Sequence, residues 1–110
     1  MSLHSANLPD LVIANGATDT TTPITAYLDD AHAVTVVAPS ALTGTVSIKG
    51  SLDGGTTWVD IGSGGADVTI GAGNAVTISP FVFNGLKVTS GSAEGAARTF
   101  VVRKQMSIGR

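Results

Sequence analysis

The chain predicts an all-β fold, a single-domain antiparallel β-sandwich of about eight short strands. Apolar and polar residues alternate in short runs, and nowhere does a 3.6-residue period persist as a helix would require. Turn signals recur about every 8–12 residues, the spacing of sandwiches and jelly rolls. Composition agrees: 14 Thr and 12 Val suit pleated strands, and 14 Gly suit many turns. At 110 residues there is room for one domain and one core, but not for a deep cleft as well. The same spacing fits Ig-like and jelly-roll topologies, and both stay open at this point.

Each element has a local reason. Residues 1–10 are mixed and hold Pro9, so they read as an N-terminal arm; 11–105 read as the sandwich and 106–110 as a C-terminal tail. Residues 11–14 are a short apolar run closed by Asn15-Gly16, a turn signal. Residues 24–28 alternate as a strand up to Asp29-Asp30, and 33–38 form a Val-rich strand stopped by Pro39. Leu42 reads as an inward plug in the loop that follows. Residues 45–52 alternate cleanly, with Val46, Ile48 and Gly50 on one face and Ser47, Lys49 and Ser51 on the other. Residues 57–61 return as their hairpin partner. Residues 67–70 and 75–79 flank Gly71-Ala72-Gly73-Asn74 and read as a second hairpin. Residues 85–89 form a strand, 90–96 a loop of small residues, and 98–104 the last strand, with Phe100 and Val102 on one face.

Charge and cysteine usage narrow the function classes. Only 13% of residues are charged, against about 25% in a typical soluble domain, so strand edges are weakly defended and a partner is expected to cover part of the surface. The net charge of −2 hides an asymmetry. Asp10, Asp19, Asp29 and Asp30 make the first 48 residues acidic; Lys87, Arg98, Arg103, Lys104 and Arg110 against Glu94 make the last stretch basic. Pairing of these segments inside the domain is the plain expectation; attraction between neighbouring copies is the sharper one. Five basic residues without interleaved aromatics make only a weak nucleic-acid footprint. Without cysteine there is no disulfide and no thiolate ligand. No apolar run approaches the ~18 residues of a membrane helix. The first ten residues lack the basic and apolar regions of an export signal, so synthesis in the cytoplasm is expected.

Catalytic chemistry finds little support. His4 and His32 are the only histidines, and the carboxylates of Asp29-Asp30-Ala31-His32 point to opposite faces of an extended chain, so no metal or other cofactor is expected. No G-x-S-x-G elbow is present, and Gly62-Ser63-Gly64 and Gly71-Ala72-Gly73 open no helix on which a phosphate could sit. Asp53, Asp60, Asp67 and Glu94 are too few and too scattered to mark a glycosidase pair. The expectation is a protein that is not an enzyme. A sugar platform would rest on Trp58 or Tyr27, and core packing is the default for both.

One motif stands out. Ser51-Leu52-Asp53-Gly54-Gly55-Thr56-Thr57-Trp58 reads S-x-D-x-G-x-T-W, an Asp-box. Gly54 and Gly55 supply positive φ, Asp53 accepts turn N–H groups, and Trp58 lays an apolar body over the turn, so Ser51, Asp53, Gly55 and Trp58 are assigned to a structural hairpin. Sialidase-like propellers repeat the motif once per blade; a single copy without an internal repeat excludes such a propeller.

From 33 to 104 the chain resembles small β-sandwich structural proteins of tailed-bacteriophage virions, of the head-decoration or cement type. The resemblance is carried by the Val-rich strand into Pro39, Leu42-Thr43-Gly44, the segment from Ser47 through the Asp-box to Trp58, Thr77-Ile78-Ser79-Pro80-Phe81, Gly85-Leu86-Lys87-Val88-Thr89-Ser90 and Arg98-Thr99-Phe100-Val101-Val102. It implies a non-enzymatic role on the capsid surface, clamping the major capsid protein as a small homo-oligomer, with no nucleic acid or membrane as partner. A carbohydrate-binding module using Trp58, and a tail or baseplate module, are the alternatives. The N-terminal arm, around Leu3, Leu8 and Leu11, is expected to reach a neighbouring subunit.

Overall fold

The computed structural model describes residues 2–63 and 66–108, with backbone alone at 2–4, 63, 66, 67, 107 and 108. The strands are β1 (Ser2–Asn7), β2 (Leu11–Ile13), β3 (Ala31–Val37), β4 (Val46–Ser51), β5 (Val59–Asp60), β6 (Gly62–Ser63), β7 (Ala66–Asp67), β8 (Thr69–Ile70), β9 (Ala75–Ile78), β10 (Gly85–Ser90) and β11 (Arg98–Ile108). They form two antiparallel sheets and a small ribbon. The first sheet runs β1-β11-β3-β9, with β2 also on β11; the second runs β10-β4-β5, with β8 also on β4; β6 and β7 pair with each other.

Two of these ribbons are single strands with an interruption. β1 pairs with Arg103 to Ile108 of β11, and β2 with its first three residues. Between them the Leu8 N–H donates to the Val102 carbonyl (2.9 Å), so the ladder continues to the break at Pro9, which has no N–H to offer. Likewise β5 and β8 both lie along β4. The chain leaves that edge after Ile61, whose N–H donates to Ile48, makes the β6–β7 ribbon, and returns at Val68, whose carbonyl accepts from Ile48.

The remaining edge of the second sheet is served by residues 18–24. Ile24 and Leu86 exchange backbone bonds (3.0 and 2.9 Å), and the Ser90 N–H donates to the Thr18 carbonyl (2.7 Å). At Val88 the Thr20 hydroxyl takes the place of a strand: it donates to the Val88 carbonyl (2.6 Å) and accepts its N–H (3.0 Å). With β1/β2, residues 18–24, β3, β4, β5/β8, β9, β10 and β11 counted in order, the first sheet reads first-last-third-sixth and the second reads second-seventh-fourth-fifth. This interleaving is the double Greek key of a jelly roll. An Ig-like sandwich would set the last strand beside the one before it.

Strand alternation explains the core. Val34 and Val36 from β3, Phe100 and Val102 from β11, and Leu11 and Ile13 from β2 face Val46 and Ile48 from β4 and Leu86 and Val88 from β10; all are fully buried. Gly50 is required because Phe83 fills the place of its side chain, with a Cβ there only 2.6 Å from the ring.

The structure corrects several expectations. The arm at 1–10 contains strand β1, and the tail at 106–110 is in β11 as far as Ile108. Leu8 and Leu11 are core residues, 6% and 0% exposed, and so cannot meet a partner. Leu3 lies in β1 opposite Ser107, and its side chain falls outside the described residues. Residues 24–28 are irregular and contribute one bridge, Ile24 to Leu86. The second hairpin is a crossover: β8 joins β4 and β9 joins β3. The Gly71–Asn74 turn closes on itself, Asn74 N–H to Gly71 carbonyl at 3.0 Å, but it docks on the end of β3, where Gly73 donates to Pro39 and Ala38 donates to Asn74.

Thr20→Val keeps the side-chain shape and strands both backbone groups of Val88. It should lower the unfolding free energy by roughly 2–4 kcal/mol in urea denaturation. A change within about 0.5 kcal/mol would show that the hydroxyl does not substitute for a strand.

Candidate functional site

Residues 51–58 join β4 to β5 in an antiparallel hairpin, with Lys49 opposite Asp60 and Gly50 opposite Val59. Ser51 ends β4 fully buried. Its hydroxyl donates to Asp53 Oδ1 (2.7 Å) and accepts the N–H of Gly55 (2.9 Å) and of Asp53 (3.3 Å). Asp53 Oδ1 also accepts the Thr57 N–H at 2.8 Å. These bonds, that from the Thr57 backbone first and that from the Ser51 hydroxyl next, bring the Asp53 carboxyl down to about 2. Gly54 and Gly55 have φ of 71° and 100°, the left-handed conformation the turn needs. From the neighbouring strand connection, Asn84 Oδ1 accepts the Gly54 N–H at 2.9 Å. Asp53 thus spends its acceptors on its own turn.

Trp58 is half-buried. Its ring lies against Gly85, where a Cβ would sit 3.1 Å from Cη2, and close to Gly55. Lys87 Nζ stands 4.8 Å from the ring centroid, a cation–π contact. The surface on which a sugar would stack is therefore engaged within the domain. Tyr27 is not a core residue: it is 70% exposed and holds φ of 68°. Lys104 Nζ fixes that loop by donating to the Tyr27 carbonyl and to Asp30 Oδ1, both at 2.6 Å. The ammonium holds the Asp30 carboxyl below its ordinary range.

The charge asymmetry resolves inside the domain. Among the described residues four ion pairs join Lys49 to Asp60, Lys87 to Asp19, Arg98 to Glu94 and Lys104 to Asp30, and two of them, Asp19–Lys87 and Asp30–Lys104, bring acids of the first third to bases of the last. Asp60 and Glu94, two of the scattered acids, are each committed to a base; the Asp67 side chain falls outside the described residues. His32 points outward from β3, and no three metal-ligating side chains converge among the described residues.

Glu94 is the residue the sequence concealed. It sits in the small-residue loop before β11, yet its side chain is fully buried. Oε1 accepts the Thr43 N–H (2.7 Å) and Arg98 Nε (2.9 Å); Oε2 accepts the Gly44 N–H (2.9 Å) and the Ser90 hydroxyl (2.7 Å). Burial alone would raise its pKa, but the four donors together outweigh burial and bring it from 4.5 down to about 2. The only signal for it was a lone acid four residues before Arg98.

The outer face of the five-stranded sheet carries exposed apolar side chains. Val37 and Val101 lie opposite each other across β3 and β11, 40% and 47% exposed. Beside them the Thr35 and Thr77 hydroxyls are bonded at 2.7 Å, and Arg103 donates to Asn7 Oδ1 (2.7 Å) and Ser5 Oγ (2.8 Å). A shallow depression of about 400 Å³ crosses this face and has no carboxylate in its lining.

Glu94 has its pKa depressed in the folded state, so its contribution to stability is complete above about pH 4.5 and is lost as pH falls towards 2. Thermal unfolding of the wild type should weaken through that window. Glu94→Gln should be less stable at pH 7 by about 3–5 kcal/mol, because Arg98 loses its buried partner, and should show a flatter acid limb. An unchanged acid limb in the variant would contradict the assignment.

No protein-family model and no curated protein matches the chain. Among solved structures, the chain is similar to one from Bacillus endospore appendages, described as forming a novel family of disulfide-linked pili. The similarity covers 96% of this chain and 90% of that one at 16% identity, with a TM-score of 0.45.

Proposed function

We propose that the chain is a non-enzymatic structural protein of a tailed-phage virion, a decoration protein that grips the outer surface of the major capsid shell. The observation that carries this reading is the outer face of the five-stranded sheet, a broad surface of Val37, Val101, Thr35, Thr77 and Ala75 with one cation, Arg103, already held by Asn7 and Ser5. Such a face suits a flat protein surface rather than a small molecule, because it offers apolar contact and hydroxyls without a closed pocket. The motifs from 33 to 104 supply the virion context. Trp58 is engaged by Lys87 and Gly85, which disfavours a sugar platform.

Co-sedimentation with heads assembled from the accompanying major capsid protein tests the proposal. Wild-type protein should travel with the heads. Val37→Lys and Val101→Lys should abolish that, whereas Thr69→Lys on the other sheet should not. Binding that survives both face variants, or binding to tail assemblies alone, would contradict it. So would Trp58-dependent sugar binding on a glycan array.

A further inference from the structure

The two sheets treat their free edges differently. In the second sheet, residues 18–24 cover β10 and satisfy its outward groups at Leu86, Val88 and Ser90. In the first sheet, β9 is an edge with no such cover among the described residues. Ala38 donates to Asn74, so the pairs that bond across β3 and β9 are Ala38 with Asn74, Val36 with Val76, and Val34 with Ile78. Ala75 and Thr77 therefore direct their N–H and C=O groups away from the sheet. The strand Ala75-Val76-Thr77-Ile78 carries no charge, proline or bulge, the usual devices that blunt an edge.

Beside this edge runs a groove of about 540 Å³, lined with Ile61, Val68, Val76, Ile78 and Phe83 among others. Among the described residues its one acid, Asp60, is committed to Lys49 at 2.6 Å. A strand added to β9 must place an apolar side chain on the groove side at every second position and small or hydroxyl-bearing ones on the other. β9 itself has that pattern, with Val76 and Ile78 the more buried and Ala75 and Thr77 exposed, the Thr77 hydroxyl bonded to Thr35 on the outer face.

We infer that β9 pairs antiparallel with the β9 of a second copy, about a two-fold axis at Val76. In that register Ala75 of each copy faces Thr77 of the other, and each such pair exchanges both of its backbone bonds. The two Val76 side chains meet at the axis, and no like charges oppose each other. The two grooves adjoin across the axis and lengthen the apolar contact. Pairing over four residues buries less than the roughly 1,200 Å² of a stable interface, so the dimer is weak in dilute solution and fills at high local concentration. The inference stands apart from the capsid reading and would survive its failure.

The chain has no cysteine, so a single introduced one reports the axis cleanly. Val76→Cys should form a disulfide-linked dimer under mild oxidation, while Leu52→Cys, on an exposed turn, should not. In sedimentation velocity over a wide concentration range, wild-type mass should rise towards two chains. Thr77→Pro, which removes an outward N–H, and Val76→Lys, which sets two cations at the axis, should abolish that rise. A wild type that stays monomeric throughout would overturn the inference. So would a Val76→Cys chain that crosslinks no faster than Leu52→Cys, or a dimer that survives both β9 variants in folded form.

Discussion

A buried carboxylate holds one end of this sandwich together. Glu94 accepts from the 43–44 loop that leads into β4, from Ser90 at the end of β10, and from Arg98 at the start of β11. Its own backbone is tied to the 14–17 turn, since its N–H donates to Ala17 and its carbonyl accepts from Gly16. One residue thus links the two sheets, its side chain joining residues 43–44, Ser90 and Arg98 and its backbone holding the 14–17 turn. Charge burial is costly without partners, and here each oxygen has two. Among the described residues no buried side-chain polar atom is left without a partner.

The opposite demand, small size and adaptable surfaces, is met by local chemistry. The turn after β4 closes on Ser51, Asp53 and two left-handed glycines, and Asn84 ties it to the connection before β10. The Thr20 hydroxyl replaces a missing strand along β10. Lys104 reaches the Tyr27 loop and Asp30. With so few charges, most are committed to one another, and the surface left over is apolar and hydroxyl-bearing.

Where the sequence was legible, the information was local. The alternation of Val46, Ile48 and Gly50 placed β4, and Pro39 and Asn15-Gly16 ended their runs as the turns require. The β4–β5 turn was readable because its hydrogen bonds span only a few residues. Long-range partners were not readable. Gly71–Asn74 looks like a hairpin turn, but Pro39 and Ala38 claim it, so β8 and β9 go to different sheets. Leu8 and Leu11 looked like an exposed arm because Pro9 sits between them; the ladder of β11 resumes past it and buries both. Nothing in a run of Ser, Gly and Ala announced that Glu94 would be the buried tie.

The direct test is a carboxyl carbon NMR titration of Glu94 in the folded protein. The carboxylate should stay ionised through pH 4.5 and turn over only near 2, in step with loss of the fold. A midpoint close to 4.5 with the fold intact would show a solvated side chain, and would contradict the claim that this carboxylate ties the sheets together.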